Sequence, residues 1–371
     1  MKILVAGDYC PQYRVAELFE KESYEIVLGE VKRITERSDY SIANFECPVT
    51  YGSETPIVKN GPNLRCSTKG VEALKWAGFN CVTLANNHFY DYGDEGAGNT
   101  IRACIDNNID VVGGGLNIDD ASTILYKVVK EKKLAIINCC EHEFSVATAT
   151  RGGSNPLNPI QQYYSIIEAK QNADYVLVIV HGGHEHFQLP SSRMQETYRF
   201  FIDAGADAVV NHHQHCYSGY ETYKGKPIIY GLGNYCFDEK GSTGGIWNEG
   251  YFVMLTFDGT INFELIPYNQ CDKEPKVLIL GNNAFDKRLK ELNTIIQDKG
   301  KLSRCVKDYY RSCNKQVSFI FEPLMNRIYS SLRYRGILPS FITKKRKLLA
   351  ANYIGCESHR DKVLSYLEIE Q

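Results

Sequence analysis

Short apolar runs rich in Val, Ile, Leu and aromatic residues recur along the chain, at 3–6, 40–45, 81–84, 134–140, 175–180, 208–210, 228–230 and 251–257. Runs of this length and composition read as strands. Between them, 71–77 and 192–204 carry apolar residues at helical spacing, and each stops at a glycine, Gly78 and Gly205, a common helix C-terminal signal. The repeated unit of strand, helix and strand predicts an α/β fold. The run at 251–257 is followed by a second at 262–267 across Asp258-Gly259, a strong hairpin signal, so the sheet is expected to be mixed. After Cys271 the sequence becomes rich in Lys and Tyr and helical in character, without strand runs. The expected division is an α/β domain over 1–271 and a basic helical extension over 272–371.

Composition narrows the class without naming a function. With 43% hydrophobic and 23% charged residues in 371, the chain resembles ordinary globular proteins, and no segment approaches the roughly 20 continuous apolar residues of a membrane span. Met1 to Asp8 runs straight into a strand, leaving no room for a signal-peptide apolar region, so a cytoplasmic location is expected. Thirteen cysteines are scattered without a CxxC pair, several inside apolar runs, which favours buried thiols over a disulfide framework. The net charge of −2 is uneven: 301–347 holds 12 Lys or Arg against Asp308 and Glu322. That stretch reads either as a solvated helical face or as a surface for an anionic partner. No base-reading motif accompanies it, and no nucleic acid is expected.

Seven of the nine histidines fall into three clusters, each following an apolar run: His88; His181, His184 and His186; His212, His213 and His215. Ligand sites in α/β sheets form beyond the carboxyl ends of strands, where loops converge. Asp8, Asn44, Glu46 and Asn87 occupy equivalent strand-end positions. Carboxylates, amide oxygens and imidazoles together make a ligand set for Zn, Mn, Fe or Mg, and a carboxylate shared between two such ions is the basis of a two-metal hydrolytic centre.

Six motifs occur in order: Gly7-Asp8; Asn44-Phe45-Glu46-Cys47-Pro48; Leu84-Ala85-Asn86-Asn87-His88 with Asp91 and Gly93; His181-Gly182-Gly183-His184-Glu185 with Pro190 and Gln195; Asp203-Ala204-Gly205-Ala206-Asp207 into His212-His213-Gln214-His215; and Gly225-Lys226-Pro227 into Leu232-Gly233-Asn234. Over roughly 1–268 the chain thereby resembles the capsule-synthesis CapA family, related to the calcineurin-like metallophosphoesterases. The resemblance implies a four-layer α/β/β/α sandwich, with two mixed sheets packed face to face and helices outside. It also implies two divalent metal ions, Asp8 holding the first, Glu46 bridging, Asn87, His181 and His213 completing the second and His215 closing on the first. His88 becomes the acid for the leaving group, and Glu185 either orients a histidine or acts at the metal. His184, His212 and Asn234 are expected to face substrate.

The chain departs from the family pattern at several points. Asp8-Tyr9-Cys10 lacks the histidine usual two residues after the first Asp, which removes one ligand, and Cys10 is a soft candidate in its place. Asn211, Gln214 and Gly182 stand where Gly, Pro and Trp are common. The expected activity is hydrolysis of a phosphoester or γ-glutamyl amide in capsule or polymer metabolism. The alternative is a non-catalytic accessory protein of an anionic-polymer synthesis or export complex.

Overall fold

Successive side chains of a strand leave on opposite faces, and in the first strand this sorts the protein into layers. The computed structural model describes every residue except 282, 322–326, 339–341 and 368–371. In it Lys2–Cys10 sends Ile3 and Val5 into one buried cluster and Leu4 and Ala6 into another. This strand lies in an eight-stranded mixed sheet, parallel to Tyr40–Phe45 and Asn234–Phe237 and antiparallel to Glu249–Asp258. Cys81–Thr83 and Asp110–Val112 extend the sheet on one side, Thr260–Gln270 and Val277–Ile279 on the other.

The second sheet has six strands. Lys132–Cys140, Tyr175–His181, Ala208–His212 and Lys226–Ile229 run parallel, with Leu125–Val129 and Tyr220–Tyr223 antiparallel at the edges. One buried cluster joins the sheets through Ile3, Val5, Val253 and Leu255 of the first and Ile136, Val178 and Val209 of the second. Phe19, Leu28, Leu74 and Cys104, from helices Tyr13–Glu20, Tyr24–Thr35, Thr68–Trp76 and Gly93–Asp106, cover the far face of the first sheet. Ile166, Tyr198 and Phe201, from Pro159–Asn172 and Ser192–Ala204, cover the second. The four layers α/β/β/α are complete. Burial of each large apolar side chain here contributes about 1.5–3 kcal/mol.

The hairpin across Asp258-Gly259 forms as expected, with Asp258 opposite Thr260 and Gly259 at φ +70°, a conformation glycine adopts freely. Strand runs do not end at 271, however. Val277–Ile279 pairs antiparallel with Thr260–Gln270, and three residues are too few to show a period in sequence. Helices Asn283–Gln297 and Lys299–Phe321 add Phe285, Leu289, Leu292, Ile296, Leu302 and Val306 to the inter-sheet cluster. Part of the basic stretch, 322–326 and 339–341, lies outside the described residues. Among the described residues no helix is long and apolar enough to cross a membrane.

Candidate metal centre

The centre starts from an irregularity in the first strand. The register slips between Ala6 and Asp8 against one neighbour and between Asp8 and Tyr9 against the other, a bulge of the kind that re-aims a side chain. Only glycine fits before it, because a Cβ on Gly7 would stand 1.9 Å from the Gly233 carbonyl oxygen. Asp8 is thereby turned into the interior, where Oδ1 accepts from Asn44 Nδ2 at 2.7 Å and Oδ2 from the His213 backbone N–H at 3.1 Å.

Glu46 follows the strand Tyr40–Phe45 and is 0% exposed, yet neither carboxylate oxygen has a hydrogen-bond partner among the described residues. Leaving such a group unpaired is costly, more so if it is charged. Around it stand histidines from the second sheet. His181 is the last residue of its strand, paired in register with His212, and His213 follows. His213 and His215 hold φ values of +92° and +53°, backbone strain of a kind that concentrates at functional sites.

Two ligand sets share Glu46: Asp8, Glu46 and His215, and Glu46, His181 and His213, the ligand atoms of each lying within 4.8 Å of one another. Asn87 Oδ1 and His213 Nδ1 each lie 3.0 Å from His181 Nε2, so Asn87 joins the second set. Burial and the neighbouring Asp8 push the Glu46 carboxyl well up, while burial and the surrounding histidines push His181 well down. A buried carboxylate shared by the two sets, without a hydrogen bond and ringed by imidazoles, fits divalent metal binding.

A second ring of residues fixes these side chains. Asn44 Nδ2 lies 3.2 Å from His181 Nδ1, and Asn234 Oδ1 lies 2.9 Å from His215 Nδ1. Glu143 Oε1 stands 3.8 Å from His213 Nε2, behind the nitrogen that faces His181. Beside Asn87, His88 Nδ1 meets Asp91 Oδ2 at 2.7 Å, and Lys59 pairs with Asp91 while lying 3.1 Å from His88 Nδ1. Burial, with Lys59 beside it, lowers the His88 pKa. Sequence reasoning missed Glu143 and Lys59. No spacing signal marks either, since both reach the centre through loops.

Several expected roles change. His212 does not face substrate: Nε2 engages the Ala6 carbonyl at 2.9 Å, tying the sheets together. Asn234 is spent on the loop backbone as well as on His215, donating to the His215 and Trp247 carbonyls. His184 is 1% exposed, its Nε2 3.0 Å from Tyr310 Oη of the extension, because Tyr309 stacks on Phe187 and roofs that loop. Glu185 makes no hydrogen bond to a histidine among the described residues. Desolvation pushes its carboxyl up, but His213, His215, His359 and His186 outweigh this and hold it at about 2. Cys10 is buried in the helix-side cluster with Cys47, its thiol pushed up to about 11, and belongs to neither ligand set. A third group, Glu141, Cys356 and Glu357, is already engaged: Arg193 Nη2 donates to Glu141 at 2.8 Å and the Ser358 backbone N–H at 3.1 Å.

These layers, with Asp, Glu, Asn and His gathered where both sheets end, define a four-layer α/β/β/α protein with a candidate metal-ligand cluster. Residues 2–239 match the family model described as bacterial capsule synthesis protein PGA_cap, and the chain belongs to that family. It is 33% identical over 295 residues to the capsule biosynthesis protein CapA of Bacillus anthracis, covering 77% of this chain and 71% of that one. It is 32% identical over 272 residues to the PGA biosynthesis protein CapA of Bacillus subtilis (strain 168), covering 72% and 71%. Among solved structures, a novel phosphatase from Mycoplasma pneumoniae aligns with a TM-score of 0.47 and 18% identity, over 74% of this chain and 95% of that one.

Proposed function

We propose that the protein is a metal-dependent hydrolase of capsule or polyglutamate metabolism, acting on a phosphoester or a γ-glutamyl amide. The observation that carries this reading is Glu46, buried without a hydrogen bond and shared by the two ligand sets, with His181 and His215 at 3.5 and 3.7 Å from Oε1. Asp8, Glu46 and His215 would hold one cation and Glu46, Asn87, His181 and His213 the other. Bound divalent ions supply an activated water and charge stabilisation at the reacting oxygen. His88, adjacent to Asn87, holds a proton for the leaving group, with Asp91 and Lys59 setting its ring. Glu143 positions His213, as carboxylates behind histidine ligands commonly do.

The test combines metal content by elemental analysis with turnover of a phosphodiester, a phosphomonoester and a γ-glutamyl peptide, with Mn²⁺ or Zn²⁺ added. His88→Ala is expected to retain near two equivalents of metal and lose about 10²–10⁴-fold in turnover. Glu143→Gln is expected to weaken metal binding about 10–100-fold. Equal metal loss in His88→Ala and Glu143→Gln would contradict this division of roles. One observation favours the accessory-protein reading: the first set has only three side chains, with Cys10 turned elsewhere. Wild-type protein with neither metal nor turnover would establish that alternative.

A further inference from the structure

The stretch 323–356 contains seven Lys or Arg residues and no Asp or Glu. Its first helix, Arg327–Tyr334, buries none of its residues. The helix stops at Gly336, φ +71°, where the Ile337 backbone N–H donates to the Leu332 carbonyl at 3.0 Å and the Gly336 N–H to Arg333 at 2.9 Å. This closed turn holds Tyr334, 95% exposed, and Ile337, 62% exposed, among Arg333 and Arg335. The next helix, Lys344–Gly355, opens on Lys344, Lys345, Arg346 and Lys347, where the helix dipole disfavours cations. Among the described residues, Arg327, Arg333, Arg335, Lys344, Lys345 and Lys347 enter no ion pair.

Lys344, Lys345 and Lys347, set against a dipole and left without carboxylates, call for an external anion, as do Arg327, Arg333 and Arg335, unpaired among the described residues. Apolar groups standing among them call for hydrocarbon as well. A soluble polyanion satisfies only the first demand, whereas an anionic bilayer satisfies both, taking Tyr and Ile at the headgroup boundary and Lys and Arg at the phosphates. We propose that the helix and turn over 327–337, together with the basic first turn over 344–347, form a docking surface for an anionic lipid membrane. Peripheral attachment of this kind needs no spanning helix and is independent of any hydrolytic activity.

The test is co-sedimentation of the full chain with vesicles of phosphatidylcholine alone or mixed with phosphatidylglycerol. Binding is expected only to the anionic vesicles and should fall steeply with added salt, which screens surface charge. Arg333→Gln with Arg335→Gln should weaken it about 25-fold, at about fivefold per basic residue. Tyr334→Ser with Ile337→Ser should weaken it about tenfold while preserving its salt dependence. Far-UV circular dichroism checks that both variants remain folded. Equal sedimentation with neutral vesicles, absence of binding, or variants that sediment like the wild type would overturn the proposal. So would tight binding of soluble polyglutamate that is indifferent to Tyr334 and Ile337, which would identify the surface as a polymer site.

Discussion

Glu46→Gln is expected to empty both metal sites and to change how the metal-free fold responds to pH. The side chain is shared by the two ligand sets, so one substitution removes a charged ligand from each, and elemental analysis should fall from near two equivalents towards none. Turnover should drop by about 10³-fold or more, as when a main electrostatic contributor is removed. The pH effect has a definite sign. Burial raises the Glu46 carboxyl above its ordinary value of 4.5, so the folded state keeps a proton that the unfolded chain has already released. Metal-free wild type should therefore lose stability as pH rises from about 4.5 towards the folded value, by up to about 1.4 kcal/mol per pH unit from this group. Glu46→Gln, with no proton to release, should lack that slope in chelator-treated thermal melts. A variant that still binds two equivalents of metal would remove Glu46 from the bridging role.

Deleting 272–371 is expected to prevent folding rather than to free an autonomous catalytic unit. The deletion takes away the edge strand Val277–Ile279 and the six apolar side chains from Phe285 to Val306 that complete the inter-sheet cluster. At about 1.5–3 kcal/mol each, their burial is of the same size as the whole stability of a typical domain, about 5–15 kcal/mol. Partners of Glu141, His142 and Arg193 leave with them: Ser358, Glu357 and Asp361. Removing one side of a buried ion pair is costly in itself. Soluble, cooperatively melting truncated protein with metal bound would instead establish 1–271 as an independent domain.

Strand-end position marks Asp8, Glu46, Asn87 and the histidine clusters in the sequence, the family resemblance picks His181, His213 and His215 out of those clusters, and the structure brings these six together. Strand 40–45 and helix 192–204 are placed to the residue, since each is bounded by an abrupt change of pattern. Leu125–Val129 escaped notice as a half-exposed edge strand, and Asn234–Phe237 because pairing with the first strand, rather than its own composition, makes it one. His212 shows the limit of reading a cluster as a unit. His212 is the last residue of its strand and reaches the Ala6 carbonyl across the sheets, whereas His213 stands past the strand end at φ +92° and turns into the centre. The roof over His184 is built by Tyr309 and Tyr310, more than a hundred residues away, and no local pattern announces it.

The ligands run from position 8 to position 215 and come from both sheets, Asp8, Glu46 and Asn87 from one and the histidines from the other. No short segment contains a usable set. Loops of this length must close before any ion finds its partners, so the centre can assemble only after the sheets have met. On the proposed reading, metal capture would be a late event, and ion uptake during refolding would report that the two halves of the sandwich have found their correct register.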